Sequence, residues 1–586
     1  MNIFKHKIKK IENKIDAAAG RRKADILFLN ARIVNVFTGE IIKDHVAVKN
    51  GYFCGFGKYD AKEEIDVKKM FLAPGFIDAH VHIESSMVTP YEFSRAVIPF
   101  GTTTVIADPH EIANVIGIKG IEYMIESAKD QLMNILFAIP SCVPATLMET
   151  SGDILNASKI ASVLKNKKTP ALAEMMNYPG VIYKDTDVLK KIITAQEFQK
   201  PIDGHAPKLT DKNLAAYVAA GILSDHECTN YKEALEKLRL GMHIMVRQGT
   251  CAKNLEALIP AINHHTWRKM MWCTDDRHPK DILKHGHINY IIKKAINSGV
   301  DPIRAIQMGT INTSDYFANK NIGAIAPGRR ADFVVFKDLK DLKIEKVYAK
   351  GILAAEDYTL SLNSNLKSEN IPYLETINID INKINLKIVC KSDKIRVIEV
   401  IPEQVITNHI IMGGFQKNGD LISNPEKDLL KIAVIERYSG KNKTGKGFVK
   451  GIGLLNGAIA SSVAHDSHNI IVVGTNDNDM LQAVKKVFDM QGGFAVACDN
   501  KIIESLALPV AGLMAQQPMA ELELSMEKII KAVKDLGSPL KDPFMSLSFL
   551  SLPVIPALKI TDKGLVDVEK FKIVDLHVFK NKLTAK

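Results

Sequence analysis

Two histidines separated by a single residue are the part of the sequence best suited to chemistry. His80 and His82 lie at the end of an apolar run that begins at residue 71. In an extended strand, residues i and i+2 point to the same face, so the two imidazoles could share one metal ion. The motif is short, and two ordinary histidines at a strand end would have the same spacing. The polar residues farther along the chain must therefore decide between the two interpretations.

Apolar runs that end in polar residues recur eight times between residues 75 and 277. Helical stretches separate them, for example at residues 91–100, 114–131 and 185–199. Strands that alternate with helices at this spacing pair in parallel through right-handed crossovers. Eight such units predict a TIM-type (β/α)8 barrel over residues 73–319. In this fold the active site lies at the carboxyl ends of the strands.

The residues at the predicted strand ends should therefore face one pocket. Surface carboxylates are common, but histidines are rarely concentrated at the ends of apolar strands. We predict that the following residues together form a functional site: His80, His82, Asp108, His110, Glu111, Glu174, His205, His226, Asp275 and Asp276.

The chemistry of this set indicates a metal-dependent hydrolase. Imidazole and carboxylate ligands without thiolate suit zinc, manganese or iron, and there are more of them than one ion needs. Water held between two divalent ions loses a proton near neutral pH and becomes a nucleophile, which Asp275 could assist by metal contact and proton transfer. Glu174 is the carboxylate best placed to bridge the ions. The predicted metal ligands are His80, His82, Glu174, His205, His226 and Asp275.

The rest of the α/β chain predicts further units around the barrel. A length of 586 residues exceeds what one core can organise. Short alternating runs with turn residues in 25–72 and 320–354 predict one composite β-sandwich into which the barrel is inserted. Residues 1–24 form a basic N-terminal segment, 355–385 read as a polar linker, and 386–586 predict a C-terminal α/β domain.

Composition narrows the functional class. No apolar run reaches the ~18 residues that span a bilayer and the first residues lack a secretory core, so we expect a cytoplasmic protein without a membrane partner. The seven cysteines show no CxxC spacing, which argues against a thiolate zinc site. The net charge is +11, but the basic residues are not interleaved with aromatic residues that could stack on bases, and aromatic residues make up only 6% of the chain. We therefore expect no nucleic-acid partner.

Two shorter motifs leave alternatives open. His82 and Glu84 match the first half of the HxE and PCxxC signature of nucleic-acid zinc deaminases, but no PCxxC follows. His465 and His468 are spaced as HxxH. They could reach a metal or cap the barrel mouth, although we favour a loop held by its own polar side chains.

Several segments resemble the adenine deaminase family of the amidohydrolase superfamily. They are PGFIDAHVHIESSMVTP, ADPHEIANV, ALAEMMNYPGV, DGHAP, SDHE, CTDDRHP, SSVAHDSHNIIVVGTNDNDM and LPVIPALKITDKGLVDV. The resemblance extends from about residue 24 to residue 568. It implies hydrolysis of adenine to hypoxanthine and ammonia in purine salvage, by attack of a metal-bridging hydroxide on C6. Two divalent ions are expected, manganese or iron in first place, with zinc possible.

The positions of individual residues, and for Asp276 the resemblance, suggest roles in this reaction. Asp275 is the expected proton shuttle to the departing amine, with Glu84 and His110 as further catalytic candidates. Asp276 is expected to contact N7 of the purine. Arg247 is a candidate substrate contact, although an arginine at a strand end serves a structural salt bridge about as often.

Glu174 separates the alternatives on this barrel. Many members of the superfamily bridge their metals with a carboxylated lysine on the fourth strand, where this chain has Glu174. This difference disfavours a cyclic amide hydrolase of the hydantoinase or dihydroorotase type. A third hypothesis is a non-catalytic scaffold that binds metal for stability. The expected partners are a small purine substrate and further copies of the chain in a homo-oligomer.

Overall fold

The computed structural model describes residues 2–166, 168–250, 252–361, 375–402 and 404–579. Residues 362–374 of the predicted linker, residues 580–586 of the predicted C-terminal domain and Cys251 lie outside the described residues. The basic N-terminal segment forms helix α1 (Asn2–Ala18). Lys14 attaches this helix to the body, because its Nζ lies 3.8 Å from the Tyr52 ring centroid and donates a hydrogen bond to the Gly328 carbonyl.

The segments before and after the barrel form one nine-stranded sheet. Its strand order is β18-β17-β16-β15-β5-β1-β2-β3, with β4 beside β1. Phe28, Phe333 and Tyr348 pack together in its core, with ring centroids 4.6–4.9 Å apart. The sheet continues past the predicted end at residue 354 to Leu360. Its strands are β1 (Ala24–Val34), β2 (Ile41–Lys49), β3 (Tyr52–Phe56), β4 (Ala61–Asp66), β5 (Phe71–Pro74), β15 (Phe333–Phe336), β16 (Ile344–Ala349), β17 (Ile352–Glu356) and β18 (Thr359–Leu360).

The eight predicted barrel strands are all present and lie in the predicted order, which confirms the (β/α)8 barrel. Most neighbouring strands pair in parallel, and the last strand, interrupted at Thr274, returns to pair with the first. The fifth and sixth strands are joined by a hydrogen bond from the Leu223 amide to the Ile202 carbonyl at 3.2 Å. An isolated bridge between Ile139 and Leu172 joins the third and fourth strands. The strands are β6 (Phe76–His82), β7 (Thr102–Ala107), β8 (Asn134–Phe137), β9 (Leu172–Met175), β10 (Ile202–Gly204), β11 (Ser224–Asp225), β12 (His243–Arg247), β13 (Met270–Cys273) and β14 (Asp275–Asp276).

Helices surround the barrel, and strand alternation divides the side chains between its interior and this outer layer. Met271 and Cys273 pack in a small interior cluster with Met245. Trp272, between them, points outward and donates from Nε1 to the Ala305 carbonyl 2.8 Å away. The helices are α2 (Pro90–Val97), α3 (His110–Ile116), α4 (Ile118–Ser127), α5 (Ala157–Leu164), α6 (Tyr178–Ile182), α7 (Thr186–Glu197), α8 (Asp211–Ala219), α9 (Tyr231–Arg239), α10 (Leu255–Leu258), α11 (Pro279–His285), α12 (Ile288–Asn297), α13 (Pro302–Met308) and α14 (Ile311–Tyr316).

The C-terminal part contains an eight-stranded sheet of order β20-β19-β24-β23-β26-β25-β27-β28. Only its β19–β24 pair is parallel. Helices α15 (Asp477–Asp489), α16 (Met519–Asp535) and α17 (Pro543–Phe549) accompany it. The strands of the whole C-terminal part, including two smaller sheets, β21-β22 and β29-β30-β31, are β19 (Lys394–Val400), β20 (Thr407–Gly413), β21 (Phe415–Lys417), β22 (Asp420–Ile422), β23 (Leu430–Ile435), β24 (Thr444–Lys450), β25 (Ala458–Ser461), β26 (Ile470–Gly474), β27 (Gly493–Cys498), β28 (Lys501–Ala507), β29 (Leu558–Thr561), β30 (Gly564–Asp567) and β31 (Lys572–Val574).

Two features bear on the environment of the protein. Within the described ranges, no helix combines the length and the apolar character that a bilayer crossing requires. The six described cysteines are free thiols, four of them buried.

Candidate functional site

His80 and His82 point to one spot at the end of β6. Both side chains are buried, and their Nε2 atoms lie 3.1 Å apart. His82 Nδ1 lies 3.1 Å from the Asp108 carbonyl oxygen. Because a carbonyl only accepts, Nδ1 must hold a hydrogen, and Nε2 of the neutral ring then presents a lone pair. The His-x-His spacing therefore produces, in this fold, a pair of converging imidazoles with one ligand nitrogen oriented by the backbone.

Glu174 lies between two groups of imidazoles. Its Oε2 is 2.7 Å from His205 Nδ1 and 3.2 Å from His226 Nε2. Its Oε1 is 3.4 Å from both His82 Nε2 and His110 Nδ1. The two oxygens of one carboxylate thus face different histidine sets, which is the arrangement that a bridging ligand requires.

Asp275 approaches the same cluster from β14, the strand that pairs with β6. Its Oδ1 is 3.1 Å from His82 Nε2 and 3.4 Å from His80 Nε2, while Oδ2 accepts a hydrogen bond from Arg247 Nη1 at 2.7 Å. Arg247 also donates from Nη2 to Glu227 at 3.0 Å. The guanidinium therefore holds one oxygen of Asp275 and leaves the other directed at the imidazoles.

The cluster keeps its carboxylates ionised despite burial. Burial alone would raise the pKa of Glu174, but His205 and then His226 more than offset it and hold that pKa well below its usual value. Burial likewise opposes ionisation of Asp275, and the Arg247 charge and the two β6 histidines hold its pKa well below the ordinary range. These anions are available to balance bound cations.

The donor set fits divalent metal ions. Ligands about 2.1 Å from one ion lie about 3.0–3.4 Å from each other, which matches the 3.1–3.4 Å separations around Glu174 and Asp275. Within the described part of the chain, both oxygens of buried Asp108 and Nδ1 of buried His110 have no hydrogen-bond partner. Asp108, His110, His82 and Glu174 present ligand atoms within 4.8 Å of one another. Buried polar atoms without partners are costly, and a cation would satisfy them.

A second group of polar residues forms the rim of this cluster. The Ser85 hydroxyl lies 2.9 Å from Glu111 Oε1 and also contacts Asp276 Oδ1. Glu84 is buried and accepts from the Ile112 amide at 3.3 Å. Burial is the main reason that the pKa of Glu84 is raised to about 7 and that of Glu111 to about 8. Three carboxyl groups thus face a space beside the imidazoles.

The loop that contains the HxxH motif lies over this rim. Asp466 Oδ1 is 3.9 Å from His110 Nε2, and His468 Nε2 is 3.6 Å from Glu111 Oε2. The same loop is held internally, because the Ala464 amide donates to His468 Nδ1 at 3.2 Å. The loop therefore covers the barrel mouth and is also held by its own polar groups, as two of the interpretations of the motif expect.

Comparison with known proteins identifies the family. The amidohydrolase family profile matches residues 71–353, and the profile of the adenine deaminase C-terminal domain matches residues 404–572. The adenine deaminase of Desulfatibacillum aliphaticivorans is 51% identical over 562 residues, covering 96% of this chain and 99% of its own. The adenine deaminase of Thermosipho africanus is 47% identical over 574 residues, or 97% and 100% of the two chains. This chain belongs to the adenine deaminase family.

The structure brings every predicted site residue of this adenine deaminase family member to the barrel mouth, with two qualifications. His110 and Glu111 begin helix α3 and do not end the second strand. Arg247 is buried and occupied by two carboxylates, so its predicted contact with substrate has no direct support from its geometry.

Sequence reasoning missed Glu227 and Ser85. Glu227 directly follows His226 in the quoted SDHE segment, and Ser85 directly follows Glu84, so adjacency to a predicted site residue was the available signal.

Proposed function

We propose that the chain hydrolyses adenine to hypoxanthine and ammonia, a reaction of purine salvage. The observation that supports this most is Glu174, which divides its two oxygens between separate imidazole groups in a buried site. Relatives named adenine deaminase, at 44–51% identity over nearly the whole chain, support the choice of substrate. A glutamate at this position also favours this family over the cyclic amide hydrolases.

The site is proposed to hold two divalent metal ions, manganese or iron, with zinc compatible with the same donor atoms. When bound, such ions supply Lewis acidity that makes a water nucleophilic near neutral pH. The proposed ligands are His80, His82, Glu174, His205, His226 and Asp275.

Deamination moves both protons of the attacking water, one to N1 of the purine and the other to the departing amino nitrogen, which leaves as ammonia when the C6–N bond breaks. The transfer to the departing nitrogen needs a carrier. We assign this transfer to Asp275 Oδ1, because Arg247 immobilises the other oxygen and leaves Oδ1 directed into the cluster. Asp276, on the rim beside Ser85, is proposed to bind N7 of the purine. Glu84 and His110 are the next candidates for the proton carrier.

Ammonia release by the purified, metal-loaded protein tests this function. Adenine, adenosine, guanine and hydantoin would be compared by kcat/KM, and metal content would be measured on the same sample. We expect turnover of adenine well above that of the other three compounds. Preferred turnover of adenosine or hydantoin, or inactivity with both metals bound, would contradict the proposal.

The protein is further proposed to be a cytoplasmic homo-oligomer. Free thiols at the described cysteines are typical of a reducing compartment. One face of α1 presents apolar side chains at a 4-3-4 spacing, at Phe4, Ile8, Ile11 and Ile15. Their relative solvent exposure is 53–75%. Such a face suits a second copy of the helix.

A second copy of the chain is the proposed partner of this apolar helix face. Sedimentation equilibrium should show that the Ile8→Glu, Ile11→Glu double variant loses mass, whereas Lys10→Ser on the opposite face does not. A monomeric wild type, or an unchanged mass for the double variant, would refute this surface.

A further inference from the structure

The loop between β25 and β26, in the C-terminal part of the chain, brings His468 to the rim of the barrel site. We propose that His468 is a positioning residue for the reaction. It holds the Glu111 carboxylate so that Glu111 accepts a hydrogen bond from the ring N–H of the free purine base. This inference rests on the proposed function, and it assigns to the C-terminal part a role in recognising substrate.

His468 is fixed before any substrate arrives. It is completely buried, its amide donates to the Ala464 carbonyl at 2.7 Å, and its Nδ1 accepts from the Ala464 amide at 3.2 Å. Asn469, the next residue, donates from Nδ2 to the carbonyl of Thr150 in the barrel at 2.8 Å. The loop is therefore attached both to itself and to the barrel, and its histidine has little freedom to turn away.

The backbone contact determines which ring nitrogen of His468 holds the hydrogen. Because Nδ1 accepts from an amide, Nε2 of the neutral ring must be the N–H. Nε2 has no hydrogen-bond partner among the described residues and lies 3.6 Å from Glu111 Oε2. A nitrogen that holds a hydrogen cannot bind a metal, so this geometry opposes a third metal site formed by Glu111, His465 and His468.

The 3.6 Å separation is about 0.5 Å longer than a formed hydrogen bond. In ligand-free active sites such contacts are often long and shorten when substrate binds. On its other oxygen, Glu111 lies 2.9 Å from the Ser85 hydroxyl. Ser85 of the barrel and His468 of the C-terminal loop thus face opposite oxygens of Glu111. The single hydrogen of Ser85 can go to Glu111 or to Asp276, so His468 Nε2 is the donor directed at Glu111 alone.

Glu111 is well placed to distinguish a free base from a nucleoside. The Ser85 hydroxyl contacts both Glu111 and Asp276, and Asp276 directly follows Asp275, so the Glu111 carboxyl group lies beside the metal-ligand cluster. Adenine has one N–H in its five-membered ring, whereas adenosine has ribose on that ring and no N–H there. A buried acceptor built for an N–H discriminates strongly against a ligand that lacks it, because the acceptor is then left without a partner.

Two substitutions separate the Glu111 contact from the internal contact of the loop. A glutamine amide nitrogen at position 468 reaches about as far as Nε2 and keeps a donor for Glu111. An asparagine reaches only as far as Nδ1, so it can keep the acceptor for Ala464 but not the donor for Glu111. His409→Asn, on β20 away from the loop, is the matched control.

We expect His468→Asn to lower kcat/KM for adenine about 10- to 100-fold, mainly through KM, because the buried Glu111 acceptor is then left without its donor. His468→Gln and His409→Asn should remain within about threefold of wild type, with metal content and Tm unchanged in all three. An unchanged KM in His468→Asn, or an equal loss in His468→Gln, would overturn the inference alone. Three metal ions per wild-type chain would also overturn it. A wild type that releases no ammonia from adenine would overturn the proposed function, and this inference with it.

Discussion

Asp275→Asn is the substitution that tests the proposed proton transfer most directly. An asparagine has the shape of Asp275. Its oxygen can still accept the hydrogen bond from Arg247 Nη1, which lies 2.7 Å from Asp275 Oδ2 in the wild type. Its amide nitrogen would occupy the position of Oδ1, 3.1–3.4 Å from the two β6 imidazoles. The side chain would therefore keep its place but lose the ability to take up a proton.

The structure sets different magnitudes for stability and for rate. Arg247 keeps Glu227 as a partner, so no buried charge is left alone, and the loss of stability should be about 1.5–3 kcal/mol, as for one weakened hydrogen bond to a charged group. Loss of general acid–base assistance should lower kcat by about 10²- to 10⁴-fold. That range corresponds to about 2.7–5.4 kcal/mol in the activation barrier.

The assay is kcat for adenine with metal content measured on the same sample. Glu227→Gln is the control for the arginine network, because it weakens the other side of Arg247 and leaves Asp275 intact. Glu227 Oε1 also lies 3.6 Å from His226 Nε2 and 3.8 Å from His205 Nδ1, so the metal content of this variant is measured as well. We expect substantial metal retention in both variants and a much smaller loss of kcat in the control. Near-normal turnover of Asp275→Asn would exclude this residue as the proton carrier. Equal losses in both variants would assign the effect to the arginine network, and loss of both metals would make the role of Asp275 structural.

Three further predictions concern the metal ligands and the barrel. Glu174→Gln should bind the metal pair more weakly, and bicarbonate during reconstitution should not activate the wild type; a bicarbonate requirement would indicate a carboxylated lysine. His80→Ala or His82→Ala should lose at least one of two ions per chain together with activity, and full occupancy with turnover would refute the site. Lys237→Met should lower the free energy of unfolding by about 3–5 kcal/mol in urea titrations, because it leaves two buried carboxylates, each 2.9 Å from Nζ, without their cation. An unchanged midpoint would show that those carboxylates find other partners.

Local patterns were sufficient for the barrel and for most of the residues that converge at its mouth. Strand alternation places His80 and His82 on one face, and the strand-then-helix order places every strand end at one rim, whatever the details of packing. The same logic located Glu174, His205 and His226. Helix starts were less accurate, since His110 and Glu111 begin α3 and were expected to end a strand.

Contacts between distant segments were not accessible in the same way. Arg247 was a candidate substrate contact until the structure placed it between Glu227 and Asp275, because a salt bridge depends on which strand ends become neighbours. The HxxH loop shows this more strongly. Its sequence indicates polar self-contacts, but nothing local indicates that the loop crosses to Glu111 on a helix more than 350 positions earlier.

By itself, the sequence determined the barrel, the imidazole and carboxylate residues that meet at its mouth, and the family to which the chain belongs. These depend on residue type and on short periodic spacing, which neighbouring residues set. Only the tertiary structure decided how Glu174 divides its oxygens, which carboxylates neutralise Arg247, and that the C-terminal loop lies over the rim. Those arrangements depend on distances between side chains from separate strands and domains, which chain order does not specify.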